Sequence, residues 1–409
     1  MEKETGKRFD FSFIIFIWHG FFLALTMSML DFNTVFPALI TELIDSKVIF
    51  GLLYSIMLGA PLIFNIIFGH YMQSYRYKKK FLMLGIYLRS LSYLGMAVFT
   101  YLFARQNPVL VISSFFFWIL LFSISGGFAG LAYTDIIGKL FKKEKRGQVY
   151  TYKQFASSIA AFLGALVVTK IFSPGQVGFP INYSLTLLIG FAGLFAASLA
   201  FWFIKEPPSK LGFQEREPLV TFVRKIPALI KTDSRFSRFI LVENLTSFSL
   251  MILPFYMVFA REHFAVGEEY IGRYLLFQIG GTILSNLFWG FIAKRLGSRI
   301  VVRICIFLGG AIPVIAVLLS PFGPDIYAVV FVLVGFIISG RKIGFDPYFL
   351  EIAPEEERTV YLGVRGTMNF LIVLMPIIGG IFIDLLGYHI TFIMVTVVML
   401  SAFYLIRSS

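Results

Sequence analysis

The stretch "GFIAKRLGSR" (residues 290–299) interrupts an otherwise apolar part of the chain with two glycines and three cations. A second interruption, "GHYMQSYRYK" (residues 69–78), also begins with glycine and also lies between two apolar runs. Aligning the first glycine of each superimposes three further pairs of identical residues: Gly51 with Gly272, Gly59 with Gly280, and Asn65 with Asn286. The chain is therefore predicted to contain two related halves.

The composition indicates that most of the surface faces lipid. The 409 residues are 58% hydrophobic and 14% charged, and the mean hydropathy is +0.82, whereas soluble domains carry about 25% charged residues. Apolar runs of about 20 residues cross a bilayer as helices, because their backbone groups must pair within the segment. Twelve such spans are predicted, at residues 12–42, 48–72, 81–104, 109–137, 149–171, 182–204, 238–260, 268–292, 300–320, 326–350, 360–383 and 387–406. The predicted fold class is an all-α membrane protein of two pseudo-symmetric six-helix bundles.

The distribution of basic residues predicts the topology. Alternate links between spans hold most of the lysines and arginines, with clusters at residues 76–80, 139–146, 216–238 and 294–299. The other links hold little beyond Lys47, Arg105, Lys170 and Arg261. Since cytoplasmic loops are enriched in Lys and Arg, both termini are predicted to be cytoplasmic, in the inner (cytoplasmic) cell membrane. The formal net charge of +13 then needs no nucleic-acid partner.

The longest polar link divides the chain. Leu219, Phe222, Val223 and Ile226 recur there at helical spacing with cations between them, which is typical of a helix on the membrane surface. The predicted domains are an N-terminal bundle (1–204), a cytoplasmic linker (205–237) and a C-terminal bundle (238–409). Two repeated halves joined in this way are typical of secondary transporters, which bind substrate near the bilayer midplane.

The two interruptions resemble the loop signature of the major facilitator superfamily, which lies between helices 2 and 3 and again between helices 8 and 9. The signature has a glycine, an Asp-Arg pair, a second glycine and a base. The matching residues are Gly290, Arg295, Gly297 and Arg299 in the second copy, and Gly69 and Lys78 in the first, where Arg76 replaces the second glycine. Both copies lack the aspartate, which in the family joins a cytoplasmic charge network. The spacing of Glu351 and Arg358 is also similar to that in the sugar porters of the superfamily.

Ionisable residues inside a span are costly and therefore indicate function. Arg341 is predicted to lie deep in span 10, where it either binds an anionic group of a substrate or snorkels towards the surface. Lys342 and Asp346 are four residues apart and can pair on one helical face. Asp31 lies in the outer half of span 1 and is the predicted proton carrier, with a water-exposed acid as the alternative. Gln278, in the middle of span 8, is a candidate substrate contact.

Further charged residues lie near the ends of spans predicted to be cytoplasmic, and closed-state salt bridges are the predicted role. This gate set comprises Asp135, Lys139, Lys153, Glu243, Asp346, Glu351, Arg358 and Arg365. Arg89 and Arg303 are expected to snorkel towards the same face.

The sequence argues against an enzyme and against a metal or cofactor site. It has one cysteine, four scattered histidines, and no hydrolase, zinc-protease or phosphate-loop motif. The predicted function is proton-coupled transport of a small anionic or zwitterionic organic solute by alternating access, carried out by a monomer. The alternatives are an exporter of amphipathic drugs or lysolipids, and a non-transporting receptor or assembly partner.

Overall fold

The computed structural model describes residues 11–72, 75–208, 226–227, 229–354, 358–369 and 371–407. Within these ranges the chain is helical and contains no strand. The α-helices, in chain order, are α1 (Phe11–Met29), α2 (Val35–Leu43), α3 (Lys47–Met72), α4 (Lys79–Phe103), α5 (Pro108–Leu140), α6 (Lys143–Ile171), α7 (Ile181–Leu199), α8 (Ser234–Ile252), α9 (Phe255–Phe264), α10 (Glu269–Leu296), α11 (Ser298–Leu319), α12 (Pro324–Ile352), α13 (Arg358–Met368) and α14 (Leu371–Arg407).

The chain divides into two compact units. Unit 1 contains residues 1–31 and 56–211, and unit 2 contains residues 32–55 and 212–409. In unit 1, α1 packs on α6 and α7, while α4 packs on α5 and α7. In unit 2, α10 packs on α12, α8 packs on α14, and α11 lies against both α12 and α14. Large aromatic side chains such as Tyr93 in unit 1 and Trp289 in unit 2 are completely buried in these contacts.

Residues 32–55 belong to unit 2 although they precede most of unit 1 in the chain. The start of α3 lies so close to α14 that two glycines at this contact have no room for a side chain. A Cβ at Gly51 would overlap the backbone of Pro376, and one at Gly380 would overlap the backbone of Lys47. Small residues at these two positions therefore permit the close helix approach that membrane interfaces favour.

Two predicted spans are interrupted in the structure. Residues 30–34 are not helical, so the predicted span 12–42 is two helices, α1 and α2. Span 7 is likewise divided into α8 and α9 by a turn at Leu253 and Pro254. Pro37 lies in the first turn of α2, where the missing proline N–H would have no helical partner in any case. The prediction of one continuous helix over residues 12–42 was thus wrong.

Eleven helical segments of the described chain are long and apolar enough to cross a membrane. The last of them, Val364–Ile406, contains a break at Gly387, whose φ of 77° is in the left-handed region. A glycine adopts this conformation without steric cost, and it divides α14 into two helical parts. Twelve as the number of spans stays a prediction.

Gly297 explains the interruption at residues 290–299. Its φ of 84° ends α10, and α11 begins at the next residue, Ser298. The link between these two long helices is therefore a single glycine. The linker residues Leu219, Phe222 and Val223, on which the predicted surface helix rests, lie outside the described residues.

Candidate functional site

Unit 1 contains a network of ion pairs near the start of α4. The Asp135 carboxylate lies 2.8 Å from Lys78 Nζ and 2.6 Å from Lys139 Nζ. Lys139 Nζ also lies 2.6 Å from the Glu206 carboxylate. The pairing of Asp135 with Lys139, which the spacing of four residues predicts, is therefore present and is part of a larger network.

Glu206 is the most buried member of this network, with a side chain that is 2% exposed. Its carboxylate accepts hydrogen bonds from the backbone N–H groups of Lys78 (2.8 Å) and Lys79 (2.7 Å). It thus caps the N-terminus of α4, where unpaired N–H groups and the helix dipole favour an anion. Sequence reasoning missed Glu206, although an acid that lies two residues after span 6 and precedes two prolines was a visible signal.

Glu206→Ala is expected to lower the free energy of unfolding by about 1–3 kcal/mol, because two backbone donors and Lys139 lose a charged acceptor. The measurement is thermal unfolding of the purified protein in mild detergent. Asp325→Ala is the matched control, since Asp325 is also an ion-paired acid at the start of a helix, α12, but its side chain is 69% exposed. We expect an effect below about 1 kcal/mol there. Equal effects of the two variants would contradict this assignment.

Arg89 lies in the interior of unit 1. It is ten residues after the start of α4, about 15 Å along the helix axis. Its guanidinium lies 4.3 Å from the centre of the Phe122 ring, and Nη2 is 3.9 Å from Met27 Sδ. Within the described chain Arg89 has no carboxylate at ion-pair distance, and its buried Nε has no hydrogen-bond partner. The expectation that Arg89 snorkels to the surface does not fit this placement.

Lys153 and His19 lie elsewhere in the interior of unit 1. The Lys153 side chain occupies the space that Gly20 leaves on α1, and its Nζ lies 4.6 Å from the centre of the Tyr133 ring. The His19 ring is buried between Tyr133 and Phe201, with ring centroids 5.4 and 4.9 Å away. The interior of unit 1 therefore contains two cations, Arg89 and Lys153, each against an aromatic face.

Unit 2 contains a second network, centred on Glu243 of α8. The Glu243 carboxylate accepts two hydrogen bonds from Arg365 Nε (2.9 and 3.1 Å), one from Arg365 Nη2 (2.5 Å) and one from Asn369 Nδ2 (2.8 Å). Its side chain is 5% exposed. Arg365 also lies 3.0 Å from Asp346, which is 68% exposed. Asp346 therefore pairs with Arg365 rather than with Lys342, which is exposed on α12.

Arg341 lies on α12, eleven residues before its last residue and about 16 Å along the axis from that end. Nη1 donates a hydrogen bond of 3.3 Å to the Thr246 carbonyl, and the guanidinium lies 4.8 Å from the centre of the Phe345 ring. Within the described residues no carboxylate lies at ion-pair distance from it. Arg341 thus resembles Arg89 in depth and in its aromatic neighbour, although each belongs to a different unit.

The remaining predicted substrate and coupling residues have different surroundings. Asp31 is half-buried in the non-helical residues 30–34, between α1 and α2. Gln278 is 4% exposed and lies where α10 approaches α12, since a Cβ at Gly335 would overlap the Gln278 carbonyl. Glu351 is exposed near the end of α12. The side chain of Arg358 lies outside the part of the chain that is described.

Residues 32–55 contain ion pairs that sequence reasoning missed. Arg261 of α9 pairs with Glu42, and its Nη1 donates to the Ala38 carbonyl at 2.6 Å. Lys47 Nζ lies 3.1 Å from Glu262 and 3.8 Å from Asp384. Charged residues in two links of low basic content thus fasten the start of α3 to α9 and α14. The available signal in the sequence was that Lys47 and Arg261 are isolated cations in links that hold few basic residues.

The loop-signature residues lie mostly at helix ends. Gly297 forms the turn after α10, while Arg299 Nη2 donates to the Ile406 carbonyl at 3.0 Å. Arg295 is exposed and stacks on Phe291, with 4.5 Å between its guanidinium and the ring centre. The carbonyl of Arg76 accepts from Lys139 Nζ at 3.3 Å. Gly290 and Gly69 are helical, in α10 and α3 respectively.

Comparison with known sequences gives a match to one family. A family model described as Major Facilitator Superfamily matches residues 19–371 and again residues 239–408. No curated protein matches this sequence significantly.

Comparison with solved structures gives similar folds at low sequence identity. A crystal structure of the nucleoside transporter NupG aligns with a TM-score of 0.74 and 13% identity, over 97% of this chain and 99% of that one. A POT family transporter in complex with 5-aminolevulinic acid aligns with a TM-score of 0.72 and 12% identity, over 100% and 97%. The D-xylose-proton symporter aligns with a TM-score of 0.63 and 13% identity, over 95% of each chain. The predicted fold class, an all-α membrane protein with the fold of this superfamily, is confirmed by these matches and by the family match, while the number of spans stays a prediction.

Proposed function

Because this chain belongs to the Major Facilitator Superfamily and is a membrane transporter of that type, we propose that it moves a small anionic or zwitterionic organic solute by alternating access. Such a transporter has no catalytic step and needs no cofactor. The proposal extends to a proton as the coupling ion, to the cytoplasmic membrane as the location, and to cytoplasmic termini as the positive-inside pattern predicts.

The observation that carries the substrate class is the state of Arg89 and Arg341. Each lies about 15 Å from a helix end, in a hydrocarbon core about 30 Å thick. Each guanidinium lies against an aromatic ring, and that of Arg341 also donates a hydrogen bond to a backbone carbonyl. Neither has a carboxylate partner among the described residues. A guanidinium in such a position is costly unless an anion binds to it. Its planar donors suit a carboxylate or a phosphate.

The networks around Glu206 and Glu243 are proposed to be gates. Their acids are buried and their cations already have partners, so they offer no free charge to a substrate. Contacts of this kind stabilise one conformation and break in another. This is the closed-state role predicted from the sequence for the gate set. Lys342 and Gln278 remain proposed substrate contacts.

Uptake into vesicles tests the function. The purified protein would first be screened by thermal shift against carboxylates, amino acids and phosphate monoesters, since a ligand stabilises the state that binds it. The compound with the largest shift would then be followed in proteoliposomes under an imposed pH gradient. We expect concentrative uptake that collapses when a protonophore is added. Binding without uptake or counterflow would favour a receptor, and flux of hydrophobic dyes alone would favour a drug or lysolipid exporter.

Asp31→Asn is expected to abolish proton-driven accumulation while leaving exchange of the same compound across the membrane intact. Asp31 is the proposed proton carrier because it is a half-buried acid at the interruption of span 1, between the end of α1 and the start of α2. Asp45→Asn is the matched control, because the Asp45 side chain is 93% exposed. Unchanged accumulation by the Asp31→Asn variant would remove Asp31 from the coupling mechanism without affecting the assignment of the substrate.

A further inference from the structure

A groove lies between α11 and α14, on the surface of unit 2. It has a volume of about 320 Å³ and is lined by Ile300, Arg303, Ile304, Phe307 and Phe403. Four of these five side chains are apolar, and the rings of Phe307 and Phe403 pack with their centroids 5.9 Å apart. The groove therefore has an aromatic and aliphatic lining that contains one cation.

That cation, Arg303, has no polar partner among the described residues. It is half-buried, and its Nε is removed from solvent without a hydrogen-bond acceptor. Its guanidinium lies 5.8 Å from the centre of the Phe403 ring, near the limit for a cation–π contact. A buried donor of this kind carries a desolvation cost until an acceptor reaches it.

The order of the lining residues along α11 gives the groove a polarity. Arg303 lies five residues after the start of the helix, about 8 Å along the axis, which is within reach of the membrane interface. Ile300 lies nearer the start of the helix, while Ile304 and Phe307 follow Arg303 and lie deeper. A ligand with an anionic head and an apolar tail would therefore place its head beside Arg303 and its tail against Phe307.

We propose that this groove binds one anionic glycerophospholipid from the leaflet in which α11 begins. The phosphodiester would accept hydrogen bonds from Arg303, and one acyl chain would cover Ile304 and Phe307. Basic pockets between membrane helices bind anionic headgroups in this way. A soluble anion would satisfy only the cation, and a zwitterionic lipid would bring its own positive charge close to Arg303. The site is separate from Arg341 and does not depend on the proposed substrate.

Native mass spectrometry of the full chain, released from detergent micelles, tests the proposal. The probes are dioleoylphosphatidylglycerol, dioleoylphosphatidylcholine and glycerol 1-phosphate. We expect one phosphatidylglycerol to bind with an apparent affinity about tenfold above that of phosphatidylcholine. A difference of this size corresponds to one charge-assisted hydrogen bond, here between Arg303 and the phosphodiester. Glycerol 1-phosphate is expected not to compete.

Two variants and two matched controls assign the binding to the groove. Arg303→Ala removes the cation, and Ile304→Trp fills the apolar floor while keeping Arg303. Each should lower phosphatidylglycerol binding about tenfold. Arg295→Ala removes an exposed cation near the end of α10, shortly before α11 begins. Leu287→Trp adds the same indole at a lipid-facing position whose side chain is 78% exposed. Neither control should change binding. Arg303→Gln, which retains most of the side chain, replaces the alanine variant if alanine prevents folding.

Three results would overturn the proposal. The first is equal binding of the two lipids by the unmodified protein. The second is an Arg303→Ala or Arg303→Gln variant that binds phosphatidylglycerol as well as Arg295→Ala does. The third is full competition by glycerol 1-phosphate, which would show that the groove takes a free anion.

Discussion

Arg365→Ala is expected to lower the free energy of unfolding by about 3–5 kcal/mol, the usual cost of removing one partner of a buried ion pair. The variant would leave the Glu243 carboxylate, 5% exposed, with Asn369 as its remaining donor from this network. A carboxylate removed from water needs a compensating charge, and one amide N–H supplies little of it. Denaturant unfolding in mild detergent, followed by circular dichroism, measures the loss.

Asp346→Asn is the matched control for this prediction. Asp346 binds the same guanidinium, at 3.0 Å, but its side chain is 68% exposed. The loss of an exposed pair costs about 0–1 kcal/mol. The double variant Glu243→Gln with Arg365→Ala should be more stable than Arg365→Ala alone, because it no longer buries an uncompensated charge. If the double variant is no more stable, the cost of Arg365→Ala comes from lost packing against Phe239 and Phe349 rather than from the ion pair.

The fold could be predicted from the sequence because lipid leaves the backbone few alternatives. Long apolar runs must be helices, and the repeated interruptions indicated two related halves. The breaks in spans 1 and 7 were harder to see, because the apolar run continues through both. In span 1 the residues Asp31, Asn33 and Thr34 followed by Pro37 were the available signal, since they combine turn formers with a residue that favours the first turn of a helix.

The candidate site could be predicted only in part, because sequence spacing gives depth but not partners. The depth of Arg341 follows from its position along α12, and the pairing of Asp135 with Lys139 follows from their separation by one helical turn. Glu243 and Arg365 are 122 residues apart, and their contact depends on which faces of α8 and α13 meet. The same reason explains why Asp346 of α12 pairs with Arg365 of α13, although Lys342 lies one turn away from Asp346 on α12 itself.

Arg341→Ala is expected to weaken the binding of the identified anion by about 10- to 100-fold, which corresponds to about 1.5–3 kcal/mol for a charge-assisted hydrogen bond. The prediction rests on the proposed substrate class and on the placement of Arg341, whose one hydrogen bond among the described residues of unit 2 is 3.3 Å long and goes to a backbone carbonyl. Its remaining donors are available to a carboxylate or phosphate. Isothermal titration calorimetry in detergent would measure the affinity directly.

Arg341→Lys should recover part of the affinity, because lysine keeps the charge but lacks the planar pair of donors. Arg273→Ala is the matched control, since Arg273 is 46% exposed and its partner Asp325 is 69% exposed. The affinity of that control should change less than about twofold. An Arg341→Ala variant with unchanged affinity and a slower transport rate would show that Arg341 acts on the conformational change. The substrate would then have to be held by other residues, and Arg89 is the first to test because its guanidinium has similar surroundings in unit 1.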